Sequence, residues 1–341
     1  MVTMVMALAV GSIACDLSRP GAKCRGTGFA RDNGGFILQC KQGKYRRVMT
    51  IAHYLNILKA VKEANAAEAN RAQVFRGLGA WVDVYDWSPT WVSYKNPGNT
   101  PPFNLARIDR MADAGVQVLY LQTAKTPLPD PLDGDLARAI VTKAKSRGMR
   151  VVAWYLPTHA DNAVDVAHLE SALSLGVDGV GLDIEDRSTV PNVALRNQRL
   201  VDLVRWFRAA HPTTPFAAVV LPPVVTDVIN PAFWPQFPWM EIRDSFDAWM
   251  PMSYWSNRLP SSGYREGYRY TAENIDRLRA WIQEPEAVVH PIGGISNDIT
   301  LADIDGFIRA GQERGAIGFS LYDDGVGTVE QYQRMAPARR P

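Results

Sequence analysis

The 341 residues carry few of the groups used for metal and thiol chemistry: 3 cysteines and 5 histidines. Cys15, Cys24 and Cys40 all precede residue 41, so the remaining chain has no cysteine nucleophile. His53, His159, His168, His211 and His290 show neither a His-x-His nor a helical pair at ligand spacing, which argues against a metal hydrolase. A Gly-x-Ser-x-Gly elbow is missing too, and with it the nucleophile of a serine acyl-transfer enzyme. No metal and no cofactor is therefore expected. Charge of one sign is scarce: 37 Lys and Arg stand against 35 Asp and Glu, a formal net of +2. No basic block is interleaved with aromatics, so nucleic acid is not an expected partner. No later run reaches the roughly 18 uninterrupted apolar residues of a membrane span, and no integral span is expected.

What the chain does have, from residue 75 on, is a repeat of apolar runs at 78–86, 116–122, 150–156, 177–185, 216–221, 246–254, 288–295 and 316–322. Segments of helical spacing lie between them, such as Ile275, Leu278 and Ile282, or Leu301, Ile304, Phe307 and Ile308. Thr300 with Asp303 and Thr328 with Gln331 stand at capping-box spacing. Strand–helix alternation repeated eight times predicts parallel strands joined by right-handed crossovers. Eight units close into an α/β (β/α)8 TIM barrel of about 250 residues, which residues 75–337 can supply. An open doubly wound sheet would show a glycine-rich turn after its first strand; here that place reads Val82-Asp83-Val84-Tyr85-Asp86-Trp87.

In such a barrel the active site lies at the C-terminal strand ends. The fourth strand ends Gly181-Leu182-Asp183-Ile184-Glu185-Asp186. Side chains alternate along a strand, so Asp183 and Glu185 share a face with Gly179 and Gly181, which leave it open. Paired carboxylates at a strand end are what cleavage of a glycosidic bond requires. The other strand ends offer Asp83, Tyr85, Asp86 and Trp87; Gln122 and Lys125; Tyr155 and His159; Tyr254 and Trp255; Ser296 and Asn297; and Tyr322, Asp323 and Asp324. A rim of carboxylates and aromatics suits a polysaccharide or oligosaccharide: rings cover sugar faces, and carboxylates and amides bond hydroxyls. Trp87, Trp91, Trp234, Trp239 and Trp255 fall in loops or strand ends, core packing being the competing role. His290, inside an apolar strand, reads as a satisfied core histidine.

Residues 1–15, apolar and small up to Cys15, read as an export signal, although no Lys or Arg precedes the apolar run. The small residues before Cys15 resemble a lipoprotein cleavage site, which would make Cys15 a lipid anchor. Residues 16–48 then form a small cysteine-bracketed β module: Cys24 and Cys40 can pair, and two short strands flank an Asp32-Asn33-Gly34-Gly35 turn. The pattern resembles small modules of bacterial pilus-tip and surface proteins. Residues 49–74, rich in alanine, predict a helical spacer, with His53 on its surface.

The run Asp178-Gly179-Val180-Gly181-Leu182-Asp183-Ile184-Glu185 resembles the Asp-Gly-x-Asp-x-Asp-x-Glu signature of chitinase-like family 18 glycoside hydrolases. Met252-Ser253-Tyr254-Trp255 is similar to that family's Met-x-Tyr-Asp. Over residues 76–335 or so, the chain looks like uncharacterised actinobacterial-type relatives of these barrels. The resemblance implies Glu185 as proton donor, Asp183 as its modulator and Tyr254 as a substrate-positioning hydroxyl. Gly181 and Trp255 replace two acids of the family pattern. A second carboxylate would then serve as nucleophile or base; Asp83, Asp86, Asp323 and Asp324 are the candidates, and Asp83 is favoured over Asp86 because it shares a strand face with Trp81 and Tyr85.

The expected function is thus an exported glycoside hydrolase, extracellular or associated with the cell envelope. Two alternatives stay open. One is a carbohydrate-binding barrel without catalysis, favoured by Gly181. The other is a phosphosugar aldolase or isomerase, in which Ile292-Gly293-Gly294-Ile295-Ser296 would cradle a phosphate and Lys125 would form a Schiff base.

Overall fold

The computed structural model describes residues 17–336, so the segment read as an export signal, with Cys15, lies outside the described residues. The chain divides into two compact units, residues 1–69 and residues 70–341.

In the first unit, β1 (Phe29–Arg31), β2 (Phe36–Lys41) and β3 (Lys44–Thr50) form an antiparallel sheet in that order. The turn between β1 and β2 is the expected one: Asp32 Oδ1 accepts from Gly34 N at 3.0 Å and Phe36 N at 2.8 Å. Cys24 and Cys40 form a disulfide. Ile37 and Tyr54 are the buried residues of a small apolar cluster, too little to hold so short a unit alone. β3 goes beyond the two-strand expectation. It follows a tight turn at Gln42 and Gly43, φ 54° and 75°, a left-handed pair for which Asn-Gly rather than Gln-Gly is the usual signal. The expected spacer is the helix Ile51–Ala72.

The second unit is the expected (β/α)8 barrel. Its strands are β4 (Gly77–Val82), β5 (Val118–Gln122), β6 (Arg150–Tyr155), β7 (Gly179–Ile184), β8 (Phe216–Val220), β9 (Ala248–Pro251), β10 (Ile292–Ile295) and β11 (Gly318–Tyr322). Each pairs in parallel with its sequence neighbour except β9 with β10, and β11 returns to β4. Between β9 and β10 the wall is closed by bridges joining Trp249 to Val289 and Met252 to Ile292. Strands packed on both faces read as continuous apolar runs, so only the register reveals which side chains point inward. Trp81 pairs with Tyr120, Tyr120 with Val152, Trp154 with Gly181, and Asp183 with Val219. The inward Trp81 stacks on Tyr120, with centroids 4.3 Å apart, and meets the edge of Trp154 at 5.7 Å.

Below these rings His290 is satisfied as expected. It lies 2.7 Å from the Phe75 carbonyl through Nδ1 and 3.0 Å from Ser320 Oγ through Nε2, while Trp81 Nε1 donates to that same oxygen. Burial holds its pKa down to about 4, so the ring is neutral. Outside the wall, the helix Val193–Ala210 buries Leu200, Leu203, Val204 and Phe207. Truncating Phe207 to alanine would cost about 3–5 kcal/mol. Both expected capping boxes are formed, at Thr300 with Asp303 and at Thr328 with Gln331.

Candidate functional site

β7 is buried along its whole length and delivers Asp183 and, one residue past its end, Glu185 to the C-terminal mouth of the barrel. Asp183 is 7% exposed, and among the described residues its Oδ1 has no hydrogen-bond partner. Burial pushes its pKa well up; the Glu185 charge adds to this and the Lys125 ammonium opposes it. Burial also raises Glu185, against Lys125 and with the charge of Asp186. Asp186 is the opposite case. Burial would raise it, but the backbone and hydroxyl donors of Ser188 and Thr189 more than offset that and hold it below the usual carboxylate range.

A cavity of about 250 Å³ opens on the pair and gathers Asp83, Tyr85, Gln122, Lys125, Trp154, Tyr254 and Tyr322 around it. An outer cavity of about 490 Å³ shares Lys125, Leu156 and Glu185 and adds Asp186, Arg187 and Ser188. Glu185 therefore lies at the join of the two. The Tyr254 hydroxyl is pushed far above its ordinary pKa by burial and by the charges of Asp183, Glu185 and Asp323, which keeps it a hydrogen-bond donor. Tyr322 is raised by burial and by Asp83, to which its hydroxyl donates at 3.0 Å.

Asp83 reaches this cavity by a route other than strand alternation. β4 ends at Val82, and Asp83 caps the helical turn Val84–Trp87, accepting from Tyr85 N at 2.7 Å and Asp86 N at 3.2 Å. The expectation that the strand continues to residue 86 is corrected accordingly. Tyr85, 49% exposed, stands at the mouth.

Other expected rim residues lie elsewhere. Trp87 is buried, and its Nε1 donates to the Gln122 carbonyl at 2.9 Å. Tyr155 points out of the barrel, because its neighbour Trp154 shares the inward face with Gly181; the Tyr155 hydroxyl donates to Asp165 at 2.6 Å. Trp255 is buried against Phe307 and over Gly293 and Gly294, where an added Cβ would come within 3.1 Å and 3.0 Å of its ring. Those glycines seat an indole, so the phosphate-cradle expectation loses its geometric basis. Trp91, Trp234 and Trp239 are buried as well, leaving Trp154 as the indole that lines the cavity. His159 is buried with its ring edge-on to Trp234, at 6.2 Å.

Asp86 and Asp323 form a second acid group beside Asp83. Burial, then the charges of Asp83 and Asp323, raise Asp86 to about 7, and Asp323 is raised by burial and by Asp83. The adjacent Asp324 is fully buried but neutralised: Arg107 and Arg110 reach its carboxylate at 2.5 Å and 3.2 Å, and the Tyr332 hydroxyl donates to it at 3.0 Å.

Trp154 lines the cavity without being singled out by the sequence, and Met252, quoted only as part of a motif and given no role, lines it too. Both lie in continuous apolar runs, where alternation gives no signal and only register with β7 or β10 identifies the inward residue. Among the described residues, no group of three His, Cys, Asp or Glu side chains is placed to hold a metal ion.

No family model and no curated protein matches the chain in sequence. Its barrel does resemble solved structures. These include the GH18 chitinase from Cycas revoluta in complex with (GlcNAc)3, 11% identical, with a TM-score of 0.53 over 77% of this chain and 99% of that one. The Bacillus cereus spore cortex-lytic enzyme SleL is 10% identical, with a TM-score of 0.54 over 78% of this chain and 74% of that one. The C-terminal domain of a putative chitinase from Desulfitobacterium hafniense is 9% identical, with a TM-score of 0.54 over 77% and 98%. At such identities the likeness is one of fold, and it is the fold that the β7 motif implies.

Proposed function

We propose that this barrel hydrolyses O-glycosidic bonds of a polysaccharide or oligosaccharide, with Glu185 as general acid. The observation that carries the reading is the pair of a buried Asp183 and a half-buried Glu185, opening into a cavity whose lining residues leave polar atoms unspent. Asp183 Oδ1, Gln122 Nε2 and Trp154 Nε1 are buried without hydrogen-bond partners among the described residues, and all three residues line that cavity. Unmet buried polar atoms cost about 1–3 kcal/mol each, so the lining favours a ligand rich in hydroxyls over an apolar one.

A carboxyl kept protonated toward neutral pH by burial can give its proton to the leaving oxygen. Burial, with the charge of Asp186, makes ionisation of Glu185 harder, and Asp83 supplies a further carboxylate on the same cavity, oriented by Tyr322. The solved GH18 chitinase that holds (GlcNAc)3 supports a glycan as ligand. The apolar residues before Cys15 and the Cys24–Cys40 disulfide favour an exported protein, since disulfides persist in oxidising compartments. Mass spectrometry of the mature chain tests that part, together with lipidation at Cys15: a retained, unmodified residue 1 would refute both.

One observation favours a binding barrel without catalysis: Gly181 stands where the family pattern has an acid, and its inward space borders the Trp154 side chain, 3.5 Å from where a Cβ would lie. The deciding experiment is reducing-end release from a panel of bacterial, fungal and plant polysaccharides, by wild type and Glu185→Gln. Activity lost in the variant with binding retained supports the hydrolase. Binding of a glycan by wild type without any release supports the recognition barrel.

A further inference from the structure

The near-neutral charge of the whole chain conceals a strongly basic first unit. Residues 17–50 contain eight Lys and Arg and a single acid, Asp32. All eight basic residues are exposed, and among the described residues only Arg47 is ion-paired, with Asp32 at 2.8 Å. The arrangement concentrates the charge further. Lys41 and Lys44 face each other across the turn between β2 and β3, and Lys23 bridges to Lys44 from the other side. Cys24 N donates to the Gly43 carbonyl at 2.9 Å, and the Cys24–Cys40 disulfide ties this segment to β2. Three ammonium groups and Arg25 thus gather at one end of the unit, while Asp32 sits at the other end of β2.

Like charges placed directly opposite in a ladder are destabilising. Among the described residues no acid pairs with these three lysines, and a polyanion would offset the cost. We propose that this hairpin tip, with Lys23, Arg25, Lys41, Lys44 and Arg46, is a binding site for an anionic polysaccharide. The surroundings favour this partner over two others. A bilayer contact would need an apolar side chain to insert, and Leu17 is the one strongly exposed large apolar residue in this stretch. Single-stranded nucleic acid would need an exposed aromatic platform, and Phe29, Phe36 and Tyr45 are all half-buried. A sugar polymer with spaced anionic groups needs only charges presented at intervals, held in place by the disulfide and the turn. The site is independent of Glu185, so its fate does not depend on the hydrolase reading.

The test is affinity electrophoresis of the full chain through gels containing polygalacturonate or neutral hydroxyethylcellulose, at low and high salt. The comparison is between wild type, the triple variant Lys23→Gln, Lys41→Gln, Lys44→Gln, and its charge-preserving counterpart Lys23→Arg, Lys41→Arg, Lys44→Arg. Wild type and the Arg variant should be retarded by polygalacturonate alone, with the Gln variant bound about tenfold more weakly and the retardation fading with salt. Equal retardation of the Gln variant, or equal retardation by the neutral polymer, would overturn the proposal. Tighter binding of wild type to duplex DNA or to phosphatidylserine vesicles than to polygalacturonate at the same salt would overturn it as well. Loss of binding in the Arg variant would do the same, since charge would then not be the determinant.

Discussion

Two groups of acids share the mouth of this barrel, and their surroundings differ. Asp324, behind β11, is fully buried yet met by Arg107, Arg110 and Tyr332. Asp183, at the end of β7, is nearly as buried, with one oxygen unpartnered and Lys125 acting only as a nearby charge. A buried carboxylate with its counter-ions attached is a strut, costly to break and chemically inert. A buried carboxyl without them is driven toward its protonated form, which is the state a general acid needs. Burial alone therefore does not mark a reactive acid; what fills the space around it does.

The sharpest test of this contrast removes one charge from each setting, Glu185 from the pair it forms with Asp183 and Asp324 from its arginines. Glu185→Gln should lower kcat by about 10³-fold with an unchanged thermal midpoint, whereas Asp324→Asn should lose about 3 kcal/mol in urea unfolding, because two guanidinium groups lose their partner. An Asp324→Asn protein as stable as wild type and inactive would erase the distinction. Tyr322→Phe should lower kcat by about tenfold, since the hydroxyl that orients Asp83 is lost while the ring stays. Steady-state kinetics checks this, and an unchanged kcat would remove Asp83 from the machinery.

A smaller effect lies in the pH dependence. Lys125 opposes the rise of Glu185, so Lys125→Met should raise that pKa further and move the alkaline limb of the kcat profile upward. A limb that stays put or moves down would mean that another group sets it. The smallest effect expected is at Asp86. Its pKa stands at about 7 against an ordinary 3.8, so the folded state keeps this proton more tightly than the unfolded chain does. Stability from this group is full below about pH 4 and falls away as pH rises to 7. Asp86→Asn should therefore match wild type at pH 4 and exceed it at pH 8, by on the order of 1 kcal/mol after solvent screening, read as a shift in thermal midpoint.

How much of this was legible differs from element to element. The capping boxes at Thr300 and Thr328 and the disulfide-bracketed hairpin rest on contacts between residues close in the chain, which local spacing reports. The Asp183–Glu185 pair was legible because a two-residue interval on one strand decides its shared face. Trp154 and Tyr155 show the limit: in an apolar run either could point inward, and the choice belongs to the register with β7. Asp83 was chosen for a strand parity that ends at Val82, yet it reaches the cavity through a helix cap. The rim tryptophans failed as a group, since an indole in a loop can as easily fill a gap between helices as face a sugar.

By itself the sequence determined the eightfold strand–helix order, and with it the barrel, because a repeated apolar period leaves few ways to bury every strand. It also determined which strand end carries the paired acids. Only the tertiary structure decided which acids stay unneutralised. Whether Arg107 reaches Asp324, 217 positions away in the chain, or Lys125 stops short of Glu185, depends on distances set by packing.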